Sequence, residues 1–271
     1  MKILFVSPKV GAWATHGEHF APNQLYAQWA AYIREHGYND LQVLDCTALG
    51  IPMDQMPEKV KEINPDIVLL GDMIHCSVGF GIIWHFNEAA SRIKQALPNV
   101  KIIMGGLWYS AMPLETLEDN PAVDYVVMSE EEGFLDLIKA IEGNSPTKDI
   151  AGVASRVDGQ PHLGPHRPLM TDLDRLPLPA YDLFPMDKYV GHTHWKPFVE
   201  MMTSRGCPSA CTFCYEWDQY DPRSPNDFLT WRAKSPERVI DELELLHKMG
   251  VKVVVIQDDN FNVNPERVEK F

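Results

Sequence analysis

Cys207, Cys211 and Cys214 fall within eight residues, in the run Cys207-Pro208-Ser209-Ala210-Cys211-Thr212-Phe213-Cys214. Three thiols spaced C-x3-C-x2-C on one loop can converge on one side of a small cluster and leave one coordination position unfilled. A four-cysteine site would need another thiol, but Cys46 and Cys76 lie far upstream and no cysteine follows Cys214. A [4Fe–4S] cluster held by three thiolates, with one open iron, fits this count. Two other uses of the same residues stay open at this point: a zinc site completed by His192 or His194, or thiols that bind no metal. The odd count of five cysteines argues against a disulfide framework. The apolar run Ile3-Leu4-Phe5-Val6 stops at Ser7-Pro8, too short for a secretory core, so a reducing, cytoplasmic setting is expected.

The elements that must position this loop follow from periodicity. Apolar, β-rich runs at Lys2–Val6, Leu41–Asp45, Ile67–Gly71, Val100–Gly105 and Asp124–Met128 alternate with helical patterns. The first helix carries Leu25, Trp29, Tyr32, Ile33 and His36 at spacings of three and four, and Gly37 stands as its C-terminal cap. Others cover Pro57–Ile63, Gly81–Leu97, Pro113–Asp119 and Glu131–Glu142. Strands apolar on both faces, alternating with helices, predict an α/β fold with a doubly wound parallel sheet over residues 1–145. Residues 146–197 read as a hairpin, turning at Asp158-Gly159, and a linker with seven prolines between Pro161 and Pro197. That linker is expected to be ordered, anchored by Leu173, Leu176, Tyr181, Leu183 and Phe184. A second α/β region spans 198–271. In it, strand Phe198–Thr203 leads into the cysteine run, and Ser235-Pro236-Glu237 opens a helix with Val239, Leu243 and Leu246 as its buried stripe. Strand Val251–Gln257 then runs into Asp258-Asp259-Asn260-Phe261.

Composition narrows the partners. The 271 residues carry 24 basic and 38 acidic side chains, a formal charge of −14 that repels phosphate backbones and disfavours nucleic acid. No apolar run reaches the length of about 18 residues that a membrane-spanning helix needs.

With Thr203-Ser204-Arg205-Gly206 before it and Phe213 in the aromatic slot, the cysteine run resembles the signature of the radical S-adenosylmethionine superfamily. The resemblance implies that Cys207, Cys211 and Cys214 hold a [4Fe–4S] cluster whose open iron chelates the amino and carboxylate groups of S-adenosylmethionine. It also places Phe213 and the strand-end residues Asp258, Asp259 and Asn260 at S-adenosylmethionine. The last three depart from the commoner glycine-glycine-glutamate form. Arg232 and Lys234 resemble the segment before the first barrel helix or stand as surface charges.

In an open parallel sheet, ligands sit beyond the carboxyl ends of the strands. The loops there contain no G-x4-G-K-[ST], and Gly79-Phe80-Gly81 lacks the third glycine of a dinucleotide motif. Gly105-Gly106 lets a bulky planar group approach the backbone. Together with Met112-Pro113-Leu114-Glu115 and the stretch from Val126 to Gly133, it resembles the cobalamin-binding domain that precedes many radical S-adenosylmethionine modules. None of the ten histidines has an aspartate two residues before it, so a D-x-H-x-x-G cobalt ligand is absent. His75 is the nearest substitute.

The family resemblance implies a cobalamin-dependent methyltransferase acting on an unactivated carbon of a small molecule. One S-adenosylmethionine would yield a 5′-deoxyadenosyl radical, methylcobalamin would supply the methyl group, and a flavodoxin or ferredoxin would serve as electron donor. A cyclase or rearrangement enzyme, tetrapyrrole-ring cyclases among them, is the alternative within the family. A non-catalytic corrinoid or metal carrier is the alternative outside it. Trp195, Tyr215, Trp217, Tyr220 and Trp231 lean toward a hydrophobic or planar substrate. At roughly 30 residues per βα unit, residues 198–271 suffice for the beginning of a barrel, and the chain is expected to be a fragment of a longer enzyme.

Overall fold

A computed structural model describes residues 1–9, 21–72, 79–128, 131–190, 196–209, 211 and 231–271. The expected alternation forms. β1 (Ile3–Ser7), β2 (Leu41–Asp45), β3 (Ile67–Asp72), β4 (Lys101–Gly106) and β5 (Tyr125–Val127) are parallel and lie in the order β2-β1-β3-β4-β5. The strand order reverses between β1 and β3, which opens a crevice at their carboxyl ends. The hairpin of β6 (Val153–Val157) and β7 (Gln160–Leu163) adds to β5 antiparallel and completes a seven-stranded sheet. Its turn places Asp158 and Gly159 at φ 51° and 79°, the left-handed pair that a two-residue hairpin requires.

Alternate residues of each strand feed two apolar layers. Ile3 and Phe5 face α1 (Gln24–Glu35) and α6 (Glu131–Glu142), whereas Leu4 and Val6 face α2 (Met56–Ile63) and α3 (Gly79–Ala96). A short helix, α4 (Leu107–Ala111), was not expected from the sequence. It starts directly after Gly106 and precedes α5 (Pro113–Asp119).

α1 is buried from Leu25 through Ile33, not along one stripe. Helices buried all round have packing partners on both sides. One side of α1 meets the sheet, and Trp29 stacks on Phe134 of α6 at 4.8 Å. The other side meets the proline-rich segment, where Ala180 N–H donates to the Ala27 carbonyl and Gln28 Nε2 donates to the Pro177 carbonyl. Leu173, Leu176, Tyr181 and Phe184 are buried there, as anchors should be, while Leu183 is half-buried.

In the second region β8 (Phe198–Met201) pairs in parallel with β11 (Val253–Ile256), which is the start of a βα barrel. Between them lie β9 (Ser204–Arg205), paired antiparallel with β10 (Arg232–Ala233), and α7 (Pro236–Lys248). Ser235 caps α7 by accepting from Arg238 N–H, and α8 (Pro265–Val268) closes the chain. The buried stripe of α7 differs from the expected one: Val239, Glu242 and Leu246 are buried and Leu243 is only half-buried. Glu242 turns inward because a cation and a phenol meet it there. Val199, Leu246 and Val251 join the same apolar cluster as α1, so one core runs from the sheet into the barrel start.

Candidate functional site

β8 and β11 end in register, Met201 opposite Ile256, so the chain segments after both strands emerge side by side. One carries Thr203-Ser204-Arg205-Gly206-Cys207 and the other carries Asp258-Asp259-Asn260. Asp258 reaches across. Its carboxylate accepts from both hydroxyls and both backbone N–H groups of Thr203 and Ser204, with Ser204 N at 3.1 Å and Ser204 Oγ at 2.8 Å. Four donors on one carboxylate fix the approach to the cysteine loop. Asp258 thus supports this approach through its side chain, and Asp259 beside it is exposed.

Cys207 is buried, and its Sγ accepts from Asn260 Nδ2 at 2.9 Å and from Ser209 N–H at 3.4 Å. Trp231 Nε1 in turn donates to the Asn260 carbonyl at 3.1 Å. Sulfur ringed by N–H donors is the setting of an electron-rich thiolate ligand, so this cysteine fits an iron–sulfur cluster. Cys211 is exposed on the same loop. Phe213 and Cys214 lie outside the described residues, as do His75 and the aromatics Trp195, Tyr215, Trp217 and Tyr220.

Arg267, buried on α8, stiffens the same corner from behind. Its guanidinium donates to the Thr203 carbonyl at 3.1 Å, to Thr203 Oγ1 at 2.8 Å and to the Lys234 carbonyl at 2.9 Å. It also lies over the rings of Trp231, Phe261 and Phe271 at 4.9–5.9 Å. Burial pushes its pKa down, partly offset by the charges of Asp258 and Asp174.

Sequence reasoning missed two ion pairs here, one that ties this loop to the first region and one within the second region that meets the linker. Arg205, two residues before Cys207, makes a bidentate pair with Glu131 at the first turn of α6, with Nη1 to Oε2 at 3.1 Å. Lys234 pairs with Glu242 at 2.6 Å, and Glu242 also accepts from Tyr181 at 3.0 Å. Gln24 of α1 donates to Tyr181 Oη and accepts from Met202 N–H, so the network runs from α1 through the linker to the second region. Burial, reinforced by Glu242, raises the Tyr181 phenol well above its ordinary value. Lys234 and Arg232 are therefore not surface charges: Arg232 donates to the Met170 carbonyl and is also buried. No local spacing announces these pairs, because each partner comes from a distant segment. Gln24, Trp29, Glu131, Ser204, Arg205 and Lys234 line what remains of the seam, a cavity of about 30 Å³, roughly enough for one water.

The glycine pair that ends β4 divides its roles. A Cβ on Gly105 would lie 2.8 Å from the Trp29 ring, so the planar group that approaches this backbone in the structure is Trp29. Gly106 holds φ 99°, a conformation that favours glycine, and starts α4 at the carboxyl edge of the sheet. Beyond it, Trp108 and Met112 are each 36% exposed. At the crevice itself Tyr26 Oη donates to the Val6 carbonyl and accepts from Gly71 N–H, holding the ends of β1 and β3. A Cβ on Gly71 would come within 1.9 Å of the Gly105 carbonyl oxygen, so the two strands touch at these glycines.

Residues 26–139 match the B12 binding domain family and residues 201–271 the radical SAM superfamily. An uncharacterized methyltransferase of Pyrococcus horikoshii is 33% identical over 98% of this chain and 55% of its own length. The anaerobic magnesium-protoporphyrin IX monomethyl ester cyclase of Rubrivivax gelatinosus is 25% identical over 100% of this chain and 47% of its own. The chain spans about half the length of these curated relatives. The solved structure of the radical S-adenosylmethionine methyltransferase TsrM from Kitasatospora setae, with cobalamin and a [4Fe–4S] cluster bound, superposes with a TM-score of 0.69. It is 19% identical, covering 97% of this chain and 49% of that one, which shows a shared fold.

Proposed function

Since the chain belongs to the radical S-adenosylmethionine proteins that carry a B12-binding domain, we propose that it is part of a cobalamin-dependent methyltransferase acting on an unactivated carbon of a small molecule. The observation that carries this reading is the position of Cys207. It lies on a loop held by Asp258 and Asn260 at the strand ends of the barrel and bound through Arg205 to Glu131 of the B12-binding domain. In this reading the cysteine loop and the carboxyl edge of the sheet belong to one rigid frame.

Cys207, Cys211 and Cys214 would hold a [4Fe–4S] cluster; the backbone of 258–260 and Phe213 would line S-adenosylmethionine; and Gly105, Gly106 and His75 would belong to the cobalamin side. When bound, the cluster supplies the electron that cleaves S-adenosylmethionine, and cobalamin carries the methyl group. The chain's own residues set the geometry. Asp258 fixes Thr203 and Ser204, Arg205 and Glu131 hold the loop against α6, and the Lys234–Glu242–Tyr181–Gln24 network keeps the linker from shifting. Residues 1–145 would bind the corrinoid, 146–197 would join the regions and 198–271 would begin the barrel. A flavodoxin- or ferredoxin-type donor would supply electrons.

The cyclase relative, similar over the whole of this chain, makes ring closure the second reading. Product ratios separate the two. A methyltransferase uses one S-adenosylmethionine for the radical and another for the methyl group. The full-length protein, reconstituted anaerobically with iron, sulfide and cobalamin, should give 5′-deoxyadenosine and S-adenosylhomocysteine in similar amounts with substrate. 5′-Deoxyadenosine without matching S-adenosylhomocysteine would favour the cyclase, and neither product with any candidate substrate would refute both.

A further inference from the structure

Asn260 is held in a way that a simple strand-end residue does not need. Its carbonyl is fixed by the Trp231 indole at 3.1 Å, and its side-chain amide is half-buried against Cys207 Sγ at 2.9 Å. A cysteine sulfur serving as an iron ligand only accepts, so the amide nitrogen is the end that must face it. Ser209 N–H adds a second, longer bond of 3.4 Å. Asn260 is therefore the closer donor to Cys207, the buried one of the two described cysteines of the run.

Building on the cofactor assignment proposed above, we infer that Asn260 is a positioning residue that sets the reduction potential of the cluster through its N–H···Sγ bond to Cys207. Adding one electron to the cluster, from dithionite in a titration or from the donor protein in the cell, makes its sulfur ligands more negative. A donor aimed at such a sulfur stabilises the reduced state more than the oxidised one, and hydrogen bonds to the sulfurs are among the determinants of cluster potential. Burial of Cys207 strengthens the effect, because water cannot replace the lost donor. The Trp231 bond to the Asn260 backbone carbonyl fixes the main chain from which the amide reaches Cys207. With this arrangement the side chain at 260 is spent on the cluster, and only the backbone of 258–260 is left to face S-adenosylmethionine.

The test uses full-length protein reconstituted anaerobically and titrated with dithionite under electron paramagnetic resonance, without S-adenosylmethionine or substrate. Asn260→Leu keeps the branched shape and removes the donor. It should retain about four irons per chain while the reduction equilibrium becomes roughly tenfold less favourable, a negative shift of about 59 mV for one electron. Trp231→Phe, which releases the Asn260 backbone carbonyl, should shift the potential in the same direction by less, and Asn260→Ser, a shorter donor, should fall between the parent and Asn260→Leu. An unchanged or more positive midpoint in Asn260→Leu with full iron content would overturn the inference. Loss of iron in both Asn260→Leu and Asn260→Ser would also overturn it, leaving Asn260 a structural strut. Failure of the parent protein to bind a cluster at all would instead refute the cofactor assignment beneath it.

Discussion

Replacing Glu131 with alanine tests whether the cysteine loop is held from the B12-binding side. The carboxylate is 1% exposed and the Arg205 side chain 16%, and the two meet in a bidentate pair. Removing one member of a buried pair leaves the other charged and desolvated, which typically costs about 3–5 kcal/mol. Arg205 keeps a narrow route to solvent, so the lower end, about 3 kcal/mol, is expected. At about 2–4 °C per kcal/mol for a unit of this size, Glu131→Ala should lower Tm by about 6–12 °C. The assay is thermal unfolding of the cofactor-free full-length protein followed by circular dichroism. Glu131→Leu combined with Arg205→Leu should recover more than half of that loss, because no charge is left unpaired. Raising salt to about 0.5 M should leave the single variant's deficit unchanged, since buried pairs are little screened. A shift below about 2 °C in Glu131→Ala, or a double variant less stable than the single one, would refute this account of the frame.

Gly105→Ala drives a methyl group to 2.8 Å from the Trp29 ring and should cost about 1–3 kcal/mol in urea unfolding; a neutral effect would mean the ring moves freely. Burial, with Asp45 beside it, pushes the Cys46 thiol up to about 12, so native Cys46 should resist iodoacetamide at pH 8 while exposed Cys211 reacts; equal labelling by mass spectrometry would contradict this. Burial raises the Asp45 carboxyl above 3.8, so the folded state binds that proton more tightly than the unfolded chain. The associated stability is complete below 3.8 and is lost as pH rises through the raised folded value. Asp45→Asn should therefore unfold with a flatter pH dependence than the parent above about pH 4, and identical slopes would disprove the assignment.

The sequence by itself determined the elements and the chemistry of the cysteine loop. Ile67-Val68-Leu69-Leu70 can only be a strand covered on both faces, and a C-x3-C-x2-C run can only present its thiols from one loop, because both properties depend on neighbours within a few residues. Ser235-Pro236-Glu237 likewise fixed the start of a helix through local capping. What the tertiary structure decided is which distant groups meet. Glu242 displaced Leu243 from the buried stripe of α7 because Lys234 and Tyr181 converge on it from other segments. A Cβ at Gly105 would meet the Trp29 ring, which α1 brings to the end of β4. Asp258 and Asn260 looked alike in sequence as strand-end polar residues, yet one clamps Thr203 and Ser204 while the other donates to Cys207. Periodicity reports which face of an element is apolar; charge pairing and close approach depend on where the chain returns in space, and only the assembled β8 and β11 bring those residues together.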